Sequence, residues 1–252
     1  MPLSPTLSFV DPELDAAVRR AILKPTGDIL PSDVVGLKWF SAAGRGIVSL
    51  EGIEKLTALT SLDLSGNQIE NIRPLSRLTA LELLYLNSNR VQDISALSGM
   101  TLLTVLDLSR NRITNIAALS GLTELGLFYF NNNQVSDISP LSNMSDMEIL
   151  YLGGNQIQDL SPLVHLRLLN TLSLSGNGLV DISALTGLTK LNFLSLSNNQ
   201  IRDLSALVNN PGIQTFDTVV LSGNPLDAMS LDTQVPALEA RRVTVILGRF
   251  DG

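Results

Sequence analysis

The sequence predicts an α/β solenoid, in which similar coils stack along one continuous core, and two observations lead to this prediction. The first is an unbroken period of 22 residues, which is typical of stacked repeats. It is marked by asparagines at Asn67, Asn89, Asn111, Asn133, Asn155, Asn177 and Asn199. The second is the apolar spacing inside each period, which is clearest at Leu56, Leu59, Leu62, Leu64, Ile69, Ile72 and Leu75. Stacked repeats grow lengthwise, so the 252 residues need not form two ordinary domains.

The N-terminal part is predicted to be a flexible segment, residues 1–10, followed by a helical cap, residues 11–33. Asp11 is a good N-cap residue and Pro12 suits the first helical position, so we expect a helix over residues 11–23. Its apolar residues fall on one stripe: Leu14, Ala17, Val18, Ala21 and Ile22. This helix would cover the core of the first coil, which would otherwise face water.

Residues 34–55 are predicted to be a degenerate first repeat. Apolar residues occupy most of its core positions, but Ala42 stands at one of the strand leucine positions and Arg45 at the asparagine position. A terminal coil has no preceding coil to which an asparagine could bond, so we expect the asparagine to be absent here.

Residues 56–209 are predicted to be seven repeats of the form Leu-x-x-Leu-x-Leu-x-x-Asn, which is the leucine-rich repeat. Side chains alternate along a strand, so the two closely spaced leucines, Leu62 and Leu64 in the first copy, should point into the core. Neighbouring strands would form a parallel β-sheet on the concave face. The asparagine carboxamide would satisfy buried backbone groups in the turn. We expect the serine of motifs such as Asp93–Leu97 to cap a short 3₁₀ turn on the convex face.

Residues 210–252 are predicted to be an irregular last repeat and a C-terminal cap. Ile213, Phe216, Val219 and Leu221 resume the apolar pattern, so we expect all four in the core. A short helix is predicted over residues 230–242, with an interruption at Pro236. The β-branched run at residues 243–247 is predicted to pair with the last strand and so cover its edge.

Composition excludes several classes of function. The chain has no cysteine and one histidine, His165, so neither a zinc site nor a Ser-His triad can be assembled. A net charge of −7 argues against nucleic acid, and no run of apolar residues is long enough to insert in a membrane. A row of aspartates with no more than one in a coil, Asp93, Asp137, Asp159, Asp181 and Asp203, fits turn capping better than calcium binding. We therefore expect a monomer with no cofactor, no metal and no catalytic activity.

The candidate binding residues are those that face outward from the predicted strands. The three tyrosines and the only tryptophan of the chain all fall at such positions, together with a row of apolar side chains. We predict partner binding by Trp39, Asp63, Leu83, Tyr85, Val105, Asp107, Leu127, Tyr129, Ile149, Tyr151 and Phe193. The β propensity of these residue types is the competing explanation, but exposed apolar rows favour an interaction surface with aromatic anchors. No lysine or arginine falls there, so a basic or neutral protein fits better than an acidic one, and a glycan is the main rival ligand.

The repeat frame resembles the 22-residue class of bacterial leucine-rich repeat proteins, as in the internalins. Residues 11–23 look like the N-terminal cap of that family, and the segment from Leu221 to Val245 is similar to the C-terminal flank of many bacterial surface repeat proteins. The resemblance implies a secreted or cell-surface protein that recognises another protein. Residues 1–10 do not have the form of a secretory signal. An intracellular subunit that docks an enzyme in the cytoplasm is the alternative.

Overall fold

The computed structural model describes residues 6–248, and residues 1–5 and 249–252 lie outside the described part. The chain divides into two compact units, residues 1–125 and residues 126–252. Both contain short parallel strands and short 3₁₀ turns, and the first begins with a helix, so the predicted fold class is confirmed.

The first unit contains two helices and four strands within residues 6–125. Its helices are α1 (Pro12–Ala21) and α2 (Pro31–Val34). Its strands are β1 (Trp39–Ser41), β2 (Ser61–Asp63), β3 (Leu83–Tyr85) and β4 (Val105–Asp107). Its 3₁₀ turns are Ile53–Lys55, Arg73–Arg77, Ser95–Leu97 and Ala117–Leu119. Each strand pairs in parallel with the next, and residues 22 apart are in register.

The second unit contains six strands and two helices within residues 126–248. Its strands are β5 (Leu127–Tyr129), β6 (Ile149–Tyr151), β7 (Thr171–Ser173), β8 (Phe193–Ser195), β9 (Thr218–Val220) and β10 (Thr244–Ile246). Its helices are α3 (Ser205–Val208) and α4 (Val235–Glu239), and a π-helical turn, Ser230–Gln234, runs into α4. Its 3₁₀ turns are Ser139–Leu141, Ser161–Leu163 and Ser183–Gly187. The six strands pair in parallel in chain order.

The core of each unit is built from the repeated leucines, isoleucines and valines. The middle residue of each strand from β1 to β9 is buried, as is the leucine or isoleucine of each 3₁₀ turn. The second unit also buries two aromatic rings, Phe128 and Phe130, whose centroids lie 5.3 Å apart. The predicted inward positions of the regular repeats are therefore confirmed.

The asparagines form hydrogen bonds between successive coils, as Asn199 shows. Its Nδ2 donates to the carbonyl oxygens of Leu174 (3.0 Å) and Leu196 (2.8 Å). Its Oδ1 accepts from the backbone N–H groups of Asn177 and Leu179, both at 3.0 Å. The side chain thus supplies partners to four backbone groups, which explains why a polar residue is 1% exposed within the stack.

The same bonds explain the loss of asparagine in the first repeat. Asn67 donates to the carbonyl of Ala42 and accepts from the N–H groups of Arg45 and Ile47, all of which belong to the preceding coil. An asparagine at position 45 would need a coil before β1, and the described chain has the helical cap there. The expectation for Arg45 is confirmed.

The 3₁₀ turns are capped by aspartate rather than by serine, so the predicted role of the serine was wrong. The carboxylate accepts a hydrogen bond from the backbone N–H of the serine two residues later, and this serine is the first residue of the turn. The capping residues of these turns are Asp93, Asp137, Asp159 and Asp181, and Asp203 makes the same contact with the first residue of α3. A short side-chain acceptor that bonds the backbone two residues ahead is an Asx turn. The structure thereby accounts for the aspartate row as turn capping.

Substituting Asp137 and Asp159 by asparagine is expected to reduce the loss of stability in acid. Hydrogen bonds from the backbone N–H and the hydroxyl of Ser139 hold the pKa of Asp137 below the ordinary value of 3.8, and those of Ser161 do the same for Asp159. A carboxyl with a lowered pKa stabilises the fold fully above its unfolded pKa, and this contribution disappears as the pH falls through the folded pKa. An asparagine carbonyl keeps the cap without titrating.

Two coils of the wild-type chain already have asparagine at the capping position. These residues, Asn71 and Asn115, accept from the N–H groups of Arg73 (3.0 Å) and Ala117 (2.8 Å). Urea denaturation at about pH 6 and about pH 3 should therefore give a smaller difference for the double variant than for the wild type. An equal difference would mean that these two carboxylates do not contribute to acid sensitivity.

The N-terminal cap is tied to the first repeat by Asp11. One carboxylate oxygen caps α1 through the N–H groups of Glu13 and Leu14, and the other accepts from Val48 (2.8 Å) and Ser49 (3.1 Å). Burial opposes ionisation, but these four N–H groups outweigh it and lower the pKa of Asp11. The predicted N-cap is thereby confirmed, and the same residue docks the helix on the coil.

Two expectations for the N-terminal part need correction. Leu14, Ala17 and Val18 are buried, but Ala21, the last residue of the helix, is exposed and Ile22 is only partly buried. Residues 1–5 of the segment expected to be flexible lie outside the described residues. Residues 7–10 are held against the unit through Leu7, whose N–H donates to Ile29 (2.8 Å), and Phe9, which is 8% exposed, while the side chains of Ser8 and Val10 remain exposed.

The start of the last repeat also differs from the prediction. Phe216, expected in the core, is 86% exposed and has a positive φ of 73°. Its neighbour Asp217 is buried instead, because its carboxylate accepts from the N–H of Gln214 (2.7 Å) and from Nδ2 of Asn192 (3.2 Å). Ile213, Val219 and Leu221 are buried as expected.

The C-terminal cap contains the predicted helix and strand. Pro236 does not end the helix, because residues 228–239 are helical without a break and the five residues before α4 form the π-helical turn. Strand β10 pairs with β9 in parallel, so the predicted cover of the last edge is confirmed.

Candidate functional site

The candidate surface consists of the first and third residues of the strands, which we call the strand face of each unit. In β2 to β8 the middle residue is buried and its two neighbours are partly exposed. All eleven residues predicted from the sequence lie at such positions, one or two to a strand. The register of the pairing then decides which of them are neighbours.

In the first unit, the register brings two carboxylates to either side of one tyrosine. Asp63 is paired with Tyr85, and Tyr85 with Asp107, so the three side chains follow one another across β2, β3 and β4. Leu83 and Val105 are register partners and form an apolar pair beside Tyr85 and Asp107.

Hydrogen bonds orient both carboxylates of this row. Asp63 Oδ1 accepts from the N–H (3.0 Å) and the hydroxyl (2.6 Å) of Ser65, and its Oδ2 accepts from the Ser41 hydroxyl (3.2 Å). Asp107 Oδ1 accepts from the N–H of Ser109 (2.9 Å). The Asp-x-Ser spacing in the sequence was the available signal for these contacts, and sequence reasoning did not use it.

Trp39 is separate from the other candidate residues of the first unit. It lies on β1, it is 78% exposed, and its register partner is Ser61 rather than an apolar residue. The edge strand therefore presents a single large aromatic side chain to solvent.

In the second unit, the register brings two tyrosines together. Tyr129 and Tyr151 are register partners, and their rings stack with centroids 5.4 Å apart and an interplanar angle of 24°. Leu127 and Ile149 are register partners in the adjoining row. The tyrosine pair and the aliphatic pair make one continuous patch on β5 and β6.

Phe193 is not joined to this patch. Its register partners are Thr171 on β7 and Thr218 on β9, so a polar strand separates it from Ile149. The tyrosine row continues with Ser173 and Ser195, and the Ser195 hydroxyl is bonded to that of Ser175 at 2.7 Å. Small hydroxyl side chains thus border the aromatic patch on one side.

The strand faces of the described residues carry two carboxylates, Asp63 and Asp107, and no cation lies at a first or third position of β1 to β10. Within residues 6–248, no group of three histidine, cysteine, aspartate or glutamate side chains is placed to hold a metal ion. The helices of the described part are all too short or too polar to span a bilayer.

Family models for leucine-rich repeats match most of the repeat region. The model described as "Leucine Rich repeats (2 copies)" matches residues 79–124, 122–165 and 167–209. The model described as "Leucine Rich repeat" matches residues 55–72. A comparison with curated protein sequences gives no significant match.

Solved structures provide the more specific comparison. The chain is 36% identical to internalin C2 of Listeria monocytogenes, with a TM-score of 0.82 over 87% of this chain and 98% of that one. It is 28% identical to an internalin F of the same organism, with a TM-score of 0.51 over 96% and 90% of the two chains. A leucine-rich repeat protein of Leptospira interrogans has the same fold at 22% identity, with a TM-score of 0.69 over 85% of this chain and 62% of that one.

Four observations indicate the same family: the repeat frame, the parallel strands with their asparagine bonds, the helical cap, and the sequence identity to internalin C2 over nearly the whole length of that protein. The chain belongs to the leucine-rich repeat proteins, and within them to the bacterial, internalin-like class.

Proposed function

We propose that this protein is a non-catalytic binding module that recognises another protein through its strand faces. The proposal depends on one observation: Tyr129 and Tyr151, which the coil does not require, form a stacked pair beside Leu127 and Ile149. Aromatic anchors in an apolar patch with a polar margin are typical of the residues that dominate protein interfaces.

The coil itself does not need aromatic residues at these positions. Ser173 and Ser195 stand in the same row of the same sheet, on strands with the same length, pairing and buried middle leucine as β6. Because serine serves the coil equally well there, β propensity does not account for the tyrosines. Partly exposed apolar side chains without a structural role favour a surface that a partner covers.

The ring geometry favours a protein over a glycan. A sugar stacks on the open face of an aromatic ring, and in the Tyr129–Tyr151 stack each ring covers a face of the other. The pair offers mainly ring edges, outer faces and hydroxyls, which suit the mixed apolar and hydrogen-bonding contacts of a protein partner. The resemblance to the internalins supports a secreted or cell-surface location.

Replacing both tyrosines by alanine is expected to weaken partner binding about 100-fold or more, because truncated aromatic hot spots each cost about 2 kcal/mol. The melting temperature should change by only a few degrees, since neither ring belongs to the core. The measurement is capture of proteins from animal and bacterial cell extracts on the immobilised chain, followed by the Kd of each purified captured protein.

The matched control changes two exposed apolar residues away from the strands, Leu168→Ala with Val180→Ala, which are 37% and 66% exposed. This variant should bind like the wild type. If the tyrosine variant remains folded and binds the captured protein with unchanged affinity, the patch on β5 and β6 is not the binding site. If treatment of the extract with glycosidases abolishes the capture, the result supports a glycan ligand instead.

A further inference from the structure

We infer that the strand face of the first unit binds an arginine side chain of the protein partner, at the row formed by Asp63, Tyr85 and Asp107. This inference rests on the proposed protein-binding function and names the chemistry that the partner must present. It concerns a different unit from the tyrosine pair, so the two can be tested separately.

The geometry of the row suits a planar cation. Neighbouring parallel strands are about 4.8 Å apart, so each carboxylate stands about that distance from the strand that carries the ring. A tyrosine side chain is longer than an aspartate side chain, and the register puts one aspartate on the strand at either side of Tyr85. A guanidinium stacked on the ring would therefore have a carboxylate on the adjoining strand, which combines a cation–π contact with a charge-assisted hydrogen bond.

The carboxylates are oriented but not neutralised. Ser65 and Ser109 hold Asp63 and Asp107 through backbone N–H groups, which leaves carboxylate lone pairs for a further donor. Among residues 6–248, the ion pairs involve other carboxylates, and neither of these two is in one. Two uncompensated negative charges on a sheet face without a cation complement a positive side chain of the partner.

The surroundings favour arginine over lysine or a free metal ion. Leu83 and Val105 form an apolar strip beside Tyr85 and Asp107, on which the methylene stem of a long side chain can lie. The guanidinium is planar and weakly hydrated, so it stacks on an aromatic ring and binds a carboxylate at the same time, which an ammonium does less well. The strip and the ring offer nothing to a hydrated metal ion.

The test uses two acetylated and amidated tripeptides, Leu-Arg-Leu and Leu-citrulline-Leu, which differ only in the charge of the central side chain. The whole chain is labelled at its three tyrosines, and the ring signals are assigned with single Tyr→Phe variants. We expect the arginine peptide to shift the Tyr85 ring signals and to bind about five- to tenfold more tightly than the citrulline peptide, with an affinity that falls as salt is added.

The double variant Asp63→Asn, Asp107→Asn removes the charges and keeps an acceptor for Ser65 and Ser109, so its fold should be retained. It should bind the two peptides equally and lose the salt dependence. The control Asp146→Asn changes an exposed carboxylate away from the strand faces and should keep the preference. Equal binding of both peptides to the wild type, or absence of any shift at Tyr85, would overturn the inference.

The two proposals fail in different ways. If the Tyr129 and Tyr151 variant still captures its protein while the arginine peptide shifts Tyr85, the patch of the second unit is wrong and the arginine site remains. If protein capture depends on that pair but the peptides do not discriminate, the arginine site is wrong and the protein-binding function remains.

Discussion

Replacing Asn199 by alanine is expected to lower the free energy of unfolding by about 3–5 kcal/mol, one of the two largest effects we predict for a single substitution. The variant leaves the N–H groups of Asn177 and Leu179 without the acceptor that the carboxamide provides, whereas the carbonyls of Leu174 and Leu196 each keep a second donor, Asn177 and Asn224. Each buried backbone group that loses its partner costs about 1–3 kcal/mol, and some relaxation lowers the sum.

Urea denaturation followed by circular dichroism measures this loss. The control is Gln200→Ala, the next residue along the chain, whose side chain is exposed and should contribute less than about 0.5 kcal/mol. A loss below about 1 kcal/mol for the asparagine variant would mean that water replaces the carboxamide, and that the coils do not depend on it for their connection.

The regular part of the fold could be predicted from the sequence because one period specifies it many times. A polar residue that recurs every 22 positions among buried leucines must bond something that also recurs, and the backbone of its own turn and of the neighbouring coil recurs with the same period. The absence of asparagine at Arg45 followed from the same reasoning, because the bonds of Asn67 run back toward the N-terminus.

Where the period breaks, the apolar pattern alone was misleading. Phe216 continues the spacing of core residues, but the loop before β9 turns through a positive φ at this residue. That turn lets the Asp217 carboxylate bond the N–H of Gln214 inside the unit. The serine caps failed for a similar reason: a hydroxyl and a carboxylate two residues apart both suit a turn, and geometry rather than composition selects the aspartate.

The candidate site was predictable as a set of positions and not as a set of contacts. The register determines that Tyr129 and Tyr151 are neighbours. The 24° angle between their rings depends on side-chain rotamers, which a repeat period does not encode. Trp39 and Phe193 lie at outward strand positions, as predicted, but their register partners Ser61 and Thr171 are polar, so neither residue joins an apolar patch.

The second large effect is expected from Gly52→Ala, at the junction between the N-terminal segment and the first coil. Gly52 has a φ of 105°, in the left-handed region where an alanine costs about 1–2 kcal/mol. A Cβ atom there would overlap the carbonyl oxygen of Ser8 and lie 2.9 Å from the ring of Phe9. Backbone must move to relieve such a contact, at a further cost of about 1–3 kcal/mol.

The overlap with Ser8 and Phe9 should disturb the N-terminal segment first. The N–H of Val10 donates to the Glu51 carbonyl at 3.2 Å, so a displaced Ser8 loosens the segment that places Asp11 on the coil. We therefore expect a loss of about 3 kcal/mol in urea denaturation and faster hydrogen exchange at Val10. Gly36→Ala is the matched control, because its Cβ would meet no heavy atom within 4 Å and its φ is not in the left-handed region. Equal stability of the two variants would show that the N-terminal segment can leave the coil without cost, and that α1 alone covers the core.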